Sequence, residues 1–457
     1  MADYYLDYRG NDYNGGGYDA SISGATVNLA SGHYAVLEAS GLECVAGTTE
    51  ITSVHGGFTT DMIGNTINIY NGYDFTYNHY FISGVPDANT ILVDTIPATG
   101  GVDAVSGVGK VGGAWRSYIN WTSGGGSFQW TGKRQIVRPS IVHIKGNGSQ
   151  NPPSGQYPAV TYCTMHSSSQ QEPLVFRGYN GRPAFAAPNG NLFLHSGPFA
   201  IFENIKFIGG QGGYETSIAQ INGGYIVDNC IFDQRGTRAM MLGAAMIRNC
   251  YFCNSRIEEV TNKTGQHAVS SVGSYGYIAS DNVYENCVGT ALQLSVAFAT
   301  NNVINNQYGT GIKLLDNGGY TNQARFNTIN NATGDGIQRG GNLKNTVIGN
   351  LITNCSGVAI KELSTYTNTE VTSGVTSAQI DFNVFYNNNV LYSGYQGGYN
   401  DIVLTSTPYL NEAAGDLTLN FNAGGGKDAR GAVSMKTAGY GKSQSYQDAG
   451  ALQSYGK

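Results

Sequence analysis

The sequence predicts an all-β protein. We expect a right-handed parallel β-helix, which is a single-stranded solenoid, with a small N-terminal β-sandwich or barrel domain and flexible termini. The first observation is that an asparagine precedes a short apolar stretch eight times, at steps of 20 to 33 residues. The second is that a unit this short cannot bury its own apolar face, so the copies must stack. The third is that no segment has an amphipathic helical period long enough to cover a sheet. The eight positions are Asn204, Asn229, Asn249, Asn282, Asn302, Asn327, Asn350 and Asn383.

Each coil is predicted to run as strand, asparagine turn, strand, glycine turn and strand. Asparagine tolerates left-handed backbone, and its amide can bond to the same amide one layer away. Glycine supplies positive φ where the chain turns sharply. Second asparagines follow four residues after the first ones, at Asn286, Asn306, Asn331, Asn354 and Asn387. The turn glycines are Gly236, Gly289, Gly309, Gly334 and Gly357.

Three files of side chains follow from this repeat. One apolar file is expected inside the coils and consists of Ile231, Phe252, Val283, Val303, Ile329, Ile352 and Val384. A second interior file consists of Leu292, Ile312, Ile337 and Ile360. An outward file on the same strands contains no acid and consists of Met241, Ser270, Gln293, Lys313, Gln338 and Lys361. The longer steps predict loops near 254–266 and 363–376, where specific contacts are expected.

The chain divides into four predicted segments. Residues 1–20 form an N-terminal extension that orders itself only against a neighbour, because the segment has almost no aliphatic residue. Residues 21–113 form the small β-domain. The first of its short predicted strands is at 25–29, and its glycines from 100 onwards mark a hinge. Residues 114–423 form the β-helix with its cap, and residues 424–457 form a Gly- and Tyr-rich tail.

Composition excludes several classes of function. Charged residues make up 12% of the chain and the net charge is −6, so no basic face offers itself to nucleic acid. No apolar run approaches a membrane span, and the N-terminus shows no secretion signal. Seven cysteines do not form a disulfide framework in a chain of this size. Cys230 and Cys250 occupy equivalent positions in their coils, which favours stacked thiols over a disulfide or a metal pair. We expect no cofactor.

Three parts of the sequence resemble known proteins. Residues 49–94 resemble the small β-domain that precedes the helix in phage tailspike-like and virion β-helix proteins. The repeats at 201–390 are similar to pectate-lyase-like right-handed β-helices. Residues 408–419 resemble the closing strand of that superfamily, and residues 448–453 resemble its terminal motif.

The resemblance implies a bacteriophage virion structural protein, either a tail spike or appendage or a capsid-decorating component. The expected location is the virion, with an extracellular location as the alternative. Other virion proteins would be contacted through the termini, and a homotrimer would be the oligomeric state. Two other functions stay open: a lyase or glycosidase that depolymerises bacterial surface polysaccharide, and a glycan-binding adhesin without catalysis. The fold alone does not choose among them.

Candidate site residues are few. Glu258, Glu259 and His267 form the densest ionisable group and are candidates for general acid–base catalysis, with a solvated loop as the alternative. Trp115, Trp121 and Trp130 could stack on sugar rings, or they could pack at the entrance to the coils. Lys313 and Lys361 could act as bases or as solvated lysines. Asp335 and Glu362 flank the same strand at different offsets, so we do not expect them to act as a pair.

Overall fold

The computed structural model describes a chain of two compact units. The described residues are 2–116, 140–150, 157–158, 174–186, 194–196, 200–208, 220–222, 225–233, 240–242, 245–253, 267–270, 277–294, 297–315, 322–340, 345–363, 380–394, 397–420, 422–430, 432–434, 446–447 and 450. The first unit comprises Met1–Ala187 and Leu192–Phe207, and the second comprises Pro188–Asn191 and Ile208–Lys457. Nearly all regular structure is β-strand, as the sequence predicts.

Fifteen strands come first along the chain. They are β1 (Ala2–Leu6), β2 (Gly17–Tyr18), β3 (Leu37–Cys44), β4 (Glu50–Ser53), β5 (Thr66–Tyr73), β6 (Asn78–Asp87), β7 (Thr90–Val93), β8 (Ala104–Val111), β9 (Ser140–Lys145), β10 (Tyr157–Pro158), β11 (Leu174–Tyr179), β12 (Ala184–Ala186), β13 (Leu194–Ser196), β14 (Ala200–Glu203) and β15 (Lys206–Ile208). One 3₁₀ turn, Thr60–Met62, precedes β5.

Most of the later strands belong to the repeats. They are β16 (Gln220–Asn222), β17 (Tyr225–Asp228), β18 (Ile231–Asp233), β19 (Met240–Leu242), β20 (Ala245–Arg248), β21 (Tyr251–Cys253), β22 (His267–Ser270), β23 (Tyr277–Ser280), β24 (Val283–Glu285), β25 (Val288–Leu294), β26 (Ala297–Thr300), β27 (Val303–Asn305), β28 (Tyr308–Leu314), β29 (Gln323–Arg325), β30 (Thr328–Asn330), β31 (Ile337–Gly340), β32 (Thr346–Ile348), β33 (Leu351–Thr353), β34 (Val358–Leu363), β35 (Ile380–Asp381), β36 (Val384–Tyr386) and β37 (Val390–Ser393). The C-terminal segment adds β38 (Ile402–Val403), β39 (Tyr409–Asn411), the 3₁₀ turn Glu412–Ala414, β40 (Asp416–Leu419), α1 (Gly424–Ala429), β41 (Val433–Ser434) and β42 (Tyr446–Gln447). Among the described residues no helix is long and apolar enough to cross a membrane.

Six antiparallel strands close into a barrel in the order β3-β4-β7-β6-β5-β8. Of the two architectures expected for the N-terminal domain, the structure shows the barrel. Its last strand, β8, lies in the stretch that the glycines had marked as a hinge, and it pairs with both β3 and β5. A Cβ on Gly107 would come within 2.8 Å of Leu42, so glycine lets this strand close the barrel.

The predicted strand at residues 25–29 is wrong. This segment joins no strand ladder, and a side chain bonds to its backbone instead. The Asn65 amide donates to the Val27 carbonyl at 2.7 Å, and its oxygen accepts the Leu29 N–H at 2.8 Å. These bonds satisfy backbone groups that a strand would have paired along a ladder.

The described part of the N-terminal segment is not a flexible extension. Strand β1 pairs in parallel with β9, from Ala2 opposite Ser140 to Leu6 opposite Ile144. Its other edge pairs with β2 in the antiparallel sense. The buried ring of Tyr4 stacks on Trp115 at 5.4 Å. The whole barrel is therefore inserted between two neighbouring strands of one sheet.

The second unit contains three parallel sheets that the chain visits in turn. Sheet 1 consists of β17, β20, β23, β26, β29, β32 and β35. Sheet 2 consists of β18, β21, β24, β27, β30, β33, β36 and β38. Sheet 3 consists of β16, β19, β22, β25, β28, β31, β34 and β37. Each strand pairs with the strand one coil away, which gives the solenoid-like succession that the repeat predicts.

One predicted interior file is wrong in part. The residues that face inward on sheet 2 are Phe232, Phe252, Tyr284, Ile304, Ile329, Ile352 and Phe385, and all are fully buried and in register. Ile231, Val283, Val303 and Val384 belong to the neighbouring file on the opposite face. A slip of one residue moves a side chain to the other face of a strand. The second predicted file is confirmed, since Leu292, Ile312, Ile337 and Ile360 are paired in sequence and buried.

Five asparagines form a continuous buried ladder at the turn between sheets 1 and 2. Each side-chain amide donates to the oxygen of the next one, at 2.9 to 3.0 Å, from Asn282 through Asn302, Asn327 and Asn350 to Asn383. In the preceding coils Cys230 and Cys250 occupy this position, and the Cys250 N–H donates to the Asn282 oxygen at 3.0 Å. Neither cysteine forms a disulfide, and burial raises the pKa of Cys250 well above its ordinary value.

The other three predicted ladder residues lie one position earlier in the turn. Asn204, Asn229 and Asn249 have φ values of 56°, 52° and 54°, which is left-handed backbone. Their amides bond outside the ladder: Asn249 donates to Asp228, and Asn204 donates to the carbonyl of Gly178. They support the turn through their backbone rather than through stacked amides.

The C-terminal segment packs on the outer face of sheet 2 where it is described. Leu404, Tyr409, Leu417 and Leu419 form one buried cluster with Val384 and its neighbours. The Tyr409 hydroxyl lies 2.9 Å from the Thr353 hydroxyl. Further along, the Gly450 N–H donates to the carbonyl of Gly349 at 2.9 Å. Within the predicted tail, Ala429 belongs to the same buried cluster and Gly450 makes this hydrogen bond, so these two residues are held against the second unit.

Candidate functional site

Most of the predicted catalytic and stacking residues lie outside the described part of the chain. Glu258, Glu259, Trp121 and Trp130 are in this group, together with both predicted loops, apart from Leu363. His267 begins β22, where its backbone pairs with Thr290 of β25. The acid–base role predicted for this group therefore stays a prediction.

Trp115 is a core residue and does not stack on a ligand. Only 1% of it is exposed, and its ring lies between Tyr4 and the edge of His79. Its indole N–H donates to the carbonyl of Asn14 at 2.9 Å, so its polar atom is satisfied as well. Of the two roles expected for the tryptophans, Trp115 has the packing role.

The strand positions of the predicted outward file lie in register along sheet 3. Each residue is paired with the next across neighbouring strands, from Met241 and Ser270 to the four polar residues that follow. We call these four the polar file: Gln293, Lys313, Gln338 and Lys361. All four are half-buried, because their stems lie on the sheet while the interior positions beside them hold Leu292, Ile312, Ile337 and Ile360.

A buried carboxylate positions one end of the polar file. Asp335 lies in the turn before β31, and its Oδ1 accepts the backbone N–H of Val358 at 2.8 Å. Its Oδ2 accepts a hydrogen bond from the Gln338 amide at 2.8 Å and lies 3.3 Å from the Lys361 ammonium. The carboxylate thus fixes two neighbouring side chains of the file in space. Lys361 keeps 39% of its side chain exposed.

A second ion pair lies beneath the same strands. The Arg339 guanidinium lies 3.2 Å from a carboxylate oxygen of Glu362, and only 3% of the arginine side chain is exposed. In the two preceding coils this file holds Leu294 and Leu314. Burial raises the pKa of Glu362, and the positive charge of Arg339 opposes that rise. The pair faces inward and is part of the fold.

The described carboxylates of this face are both engaged by protein groups. Glycosidases need two carboxylates on either side of the scissile bond. Within the described residues of this face, Asp335 uses both oxygens on protein donors, and Glu362 is held by Arg339. The polar file presents two ammonium and two amide groups in one line, and Asp335 already binds one of each, those of Lys361 and Gln338. No cluster of three or more metal-ligating side chains occurs among the described residues.

Sequence reasoning found the polar file but missed the groups that support it. Asp335 reaches Lys361 through a turn, and a strand pattern does not show where a turn directs its side chains. Arg339 and Glu362 carried a readable signal, because they are charged residues at positions where the repeat has leucine. A charge in an apolar file needs a partner in the neighbouring coil.

Comparisons with known proteins add little to this geometry. No protein-family model matches the chain. No curated protein matches it either. Among solved structures, the chain is similar to one described as the crystal structure of the Agl-KA catalytic domain, with a TM-score of 0.28 and 11% identity. The match covers 90% of this chain and 79% of that chain. A TM-score this low carries no argument about activity, so the functional conclusion rests on the site.

Proposed function

We propose that this protein binds acidic polysaccharide along the polar file of sheet 3 and does not cleave it. The observation that carries the proposal is the register of Lys313 and Lys361, which lie in one file with Gln338 between them. Two steps of the sheet place their Cα atoms about 9.6 Å apart. Repeated anionic groups on a polymer can meet both ammonium groups at once, and the Gln338 amide between them can bond to a hydroxyl.

The surroundings of the file support an anionic ligand. The file itself contains no acid, and Glu362 is paired with Arg339. Asp335, beside the file, is bonded to Val358, Gln338 and Lys361, so the two lysines and this carboxylate together have one net positive charge. A parallel sheet also presents its side chains at a constant spacing, which matches a polymer of repeating units. These contacts support the sequence alternative of a glycan-binding adhesin.

We infer in addition that the coils wind in the right-handed sense. Connections between parallel strands of one sheet are right-handed in about 98% of cases, and every described pairing of the repeats is parallel. The placement in a virion, the homotrimer and the attachment through the termini remain predictions from the sequence resemblance.

The test is a binding titration of the full chain with alginate, using neutral dextran as the control polymer. Each exposed ion contact is worth about 0.7 kcal/mol, so the double variant Lys313→Gln and Lys361→Gln should weaken alginate binding about tenfold. Lys427→Gln is the matched control, because Lys427 is exposed on α1 and the substitution removes a positive charge away from the polar file. Added salt should weaken the wild-type interaction.

Two results would contradict the proposal. One is equal affinity of the double variant and the Lys427 variant for alginate. The other is equal affinity of the wild type for alginate and dextran. Release of new reducing ends from either polymer would show catalysis, and would favour the depolymerase alternative over simple binding.

A further inference from the structure

The negative charge of this protein is concentrated in the barrel. Residues 37–111 contain eight acidic residues and a single basic one, Lys110, which gives the barrel a net charge of −7. The whole chain has a net charge of −6, so everything outside the barrel sums to +1. The barrel and the parallel sheets thus have different electrostatic characters and suit different partners.

One end of the barrel carries an apolar surface. We call this end the barrel tip, and it consists of Tyr73, Val105 and the loops 45–49, 74–77 and 94–103. The loops meet at one end because β3, β5 and β7 finish there and β4, β6 and β8 begin there. Six large apolar side chains at the tip are between 41% and 73% exposed: Val45, Tyr73, Tyr77, Ile96, Val102 and Val105.

Hydrogen bonds join the three loops into one built surface. The Thr76 N–H donates to the Pro97 carbonyl at 2.8 Å, and the Thr99 N–H donates to the Asp74 carbonyl at 2.8 Å. The Asp103 carboxylate accepts the Ala46 N–H at 2.8 Å, which ties the first loop to the third. A surface held in this way loses little conformational freedom when it binds.

Acidic side chains surround the apolar residues. Glu43, Glu50, Asp74 and Asp103 are all exposed at this end of the barrel. Lys110 lies near the other end of β8, where it pairs with Glu38 at 3.4 Å. Exposed apolar groups rimmed by polar ones mark sites of protein interaction.

We propose that the barrel tip docks a different protein, one whose surface has an apolar centre and a rim of lysine or arginine. The charge pattern decides among the occupants. Nucleic acid, anionic lipid and acidic glycan would all be repelled by the four carboxylates. A second copy docked tip to tip would oppose the same carboxylates, so electrostatic repulsion disfavours that pairing. This role is separate from polysaccharide binding on sheet 3.

The test uses the full chain and a short amphipathic peptide of leucine and lysine, with its leucine–glutamate counterpart as the charge control. Fluorescence anisotropy should show binding of the lysine peptide and at least about tenfold weaker binding of the glutamate peptide. The double variant Tyr73→Ser and Ile96→Ser should weaken binding of the lysine peptide about tenfold. The double variant Val36→Ser and Val54→Ser is the control, because both valines are exposed outside the tip.

Equal losses of affinity for the lysine peptide in the tip and control variants would overturn the proposal, since the peptide would then bind any exposed apolar surface. Equal binding of the two peptides would also overturn it. Sedimentation velocity tests whether a second copy of this chain covers the barrel tip. Dimers of the wild type that disappear in the tip variant would show that it does, and would overturn the proposal. An unchanged melting temperature in both double variants shows that each retains its fold.

Discussion

Replacing Asn327 by alanine tests the amide ladder at its centre. The Asn327 amide donates to the Asn350 oxygen at 3.0 Å and to the Ala299 carbonyl at 3.1 Å. Its oxygen accepts two bonds from Asn302, one from the backbone N–H at 3.0 Å and one from the side chain at 2.9 Å. Asn327 is fully buried, so water cannot replace the four lost bonds.

The expected cost is large for a single substitution. At about 1 kcal/mol for each bond, Asn327→Ala should lower the free energy of unfolding by about 4 kcal/mol. Asn331→Gly is the matched control from the same coil. It removes one exposed bond to Asn306 and keeps the left-handed backbone, so it should cost less than about 1 kcal/mol.

Urea denaturation followed by circular dichroism measures both variants against the wild type. The midpoint should fall strongly for Asn327→Ala and barely for Asn331→Gly. A loss below about 1 kcal/mol for Asn327→Ala, or equal losses in the two variants, would refute the idea that stacked amides hold the coils together.

Three further predictions concern other parts of the molecule. Glu362→Gln should lower the free energy of unfolding, measured by urea denaturation, by about 3 kcal/mol, because it leaves the Arg339 charge buried alone. Changing both residues to leucine should lower it less. The reverse order would contradict a buried ion pair. Burial raises the pKa of Asp7, but hydrogen bonds from Arg9 and Lys145 outweigh it and lower that pKa to about 2. The stabilisation from Asp7 is therefore present above its ordinary pKa of 3.8 and is lost as pH falls towards 2. The stability of Asp7→Asn, measured by acid titration, should lack this part of the pH dependence. A pH profile identical to that of the wild type would contradict the ionised role of Asp7. Gly16→Ala should lower the melting temperature far more than Gly47→Ala, since a Cβ at Gly16 would lie 1.9 Å from the Trp115 ring while Gly47 has open space at a similar φ; equal shifts would contradict the packing.

The repeat could be read from the sequence because its period reflects the coil itself. The exact position of the ladder could not, because two neighbouring turn residues both accept asparagine for different reasons. One adopts left-handed backbone, as Asn249 does, and the other stacks its amide, as Asn282 does. In the earlier coils the ladder position holds cysteine, so the sequence there shows only the left-handed asparagine and does not distinguish the two positions.

The pairing of strands that are distant in the sequence could not be predicted either. Strand β1 pairs with β9 across more than 130 residues, and nothing local in Ala2–Leu6 indicates that partner. The polar file was readable, because residues at equal offsets from the repeat fall in one line on a sheet. The link between Asp335 and Lys361 was not, because it depends on the course of the turn before β31.

Lysine footprinting tests the polysaccharide site most directly. The wild-type protein would be acetylated in the presence and absence of alginate, and each lysine would be quantified by mass spectrometry. Lys313 and Lys361 should be protected by alginate, while Lys110 and Lys427 should react equally in both samples. Equal reactivity of all four lysines with saturating alginate would contradict a binding site on sheet 3.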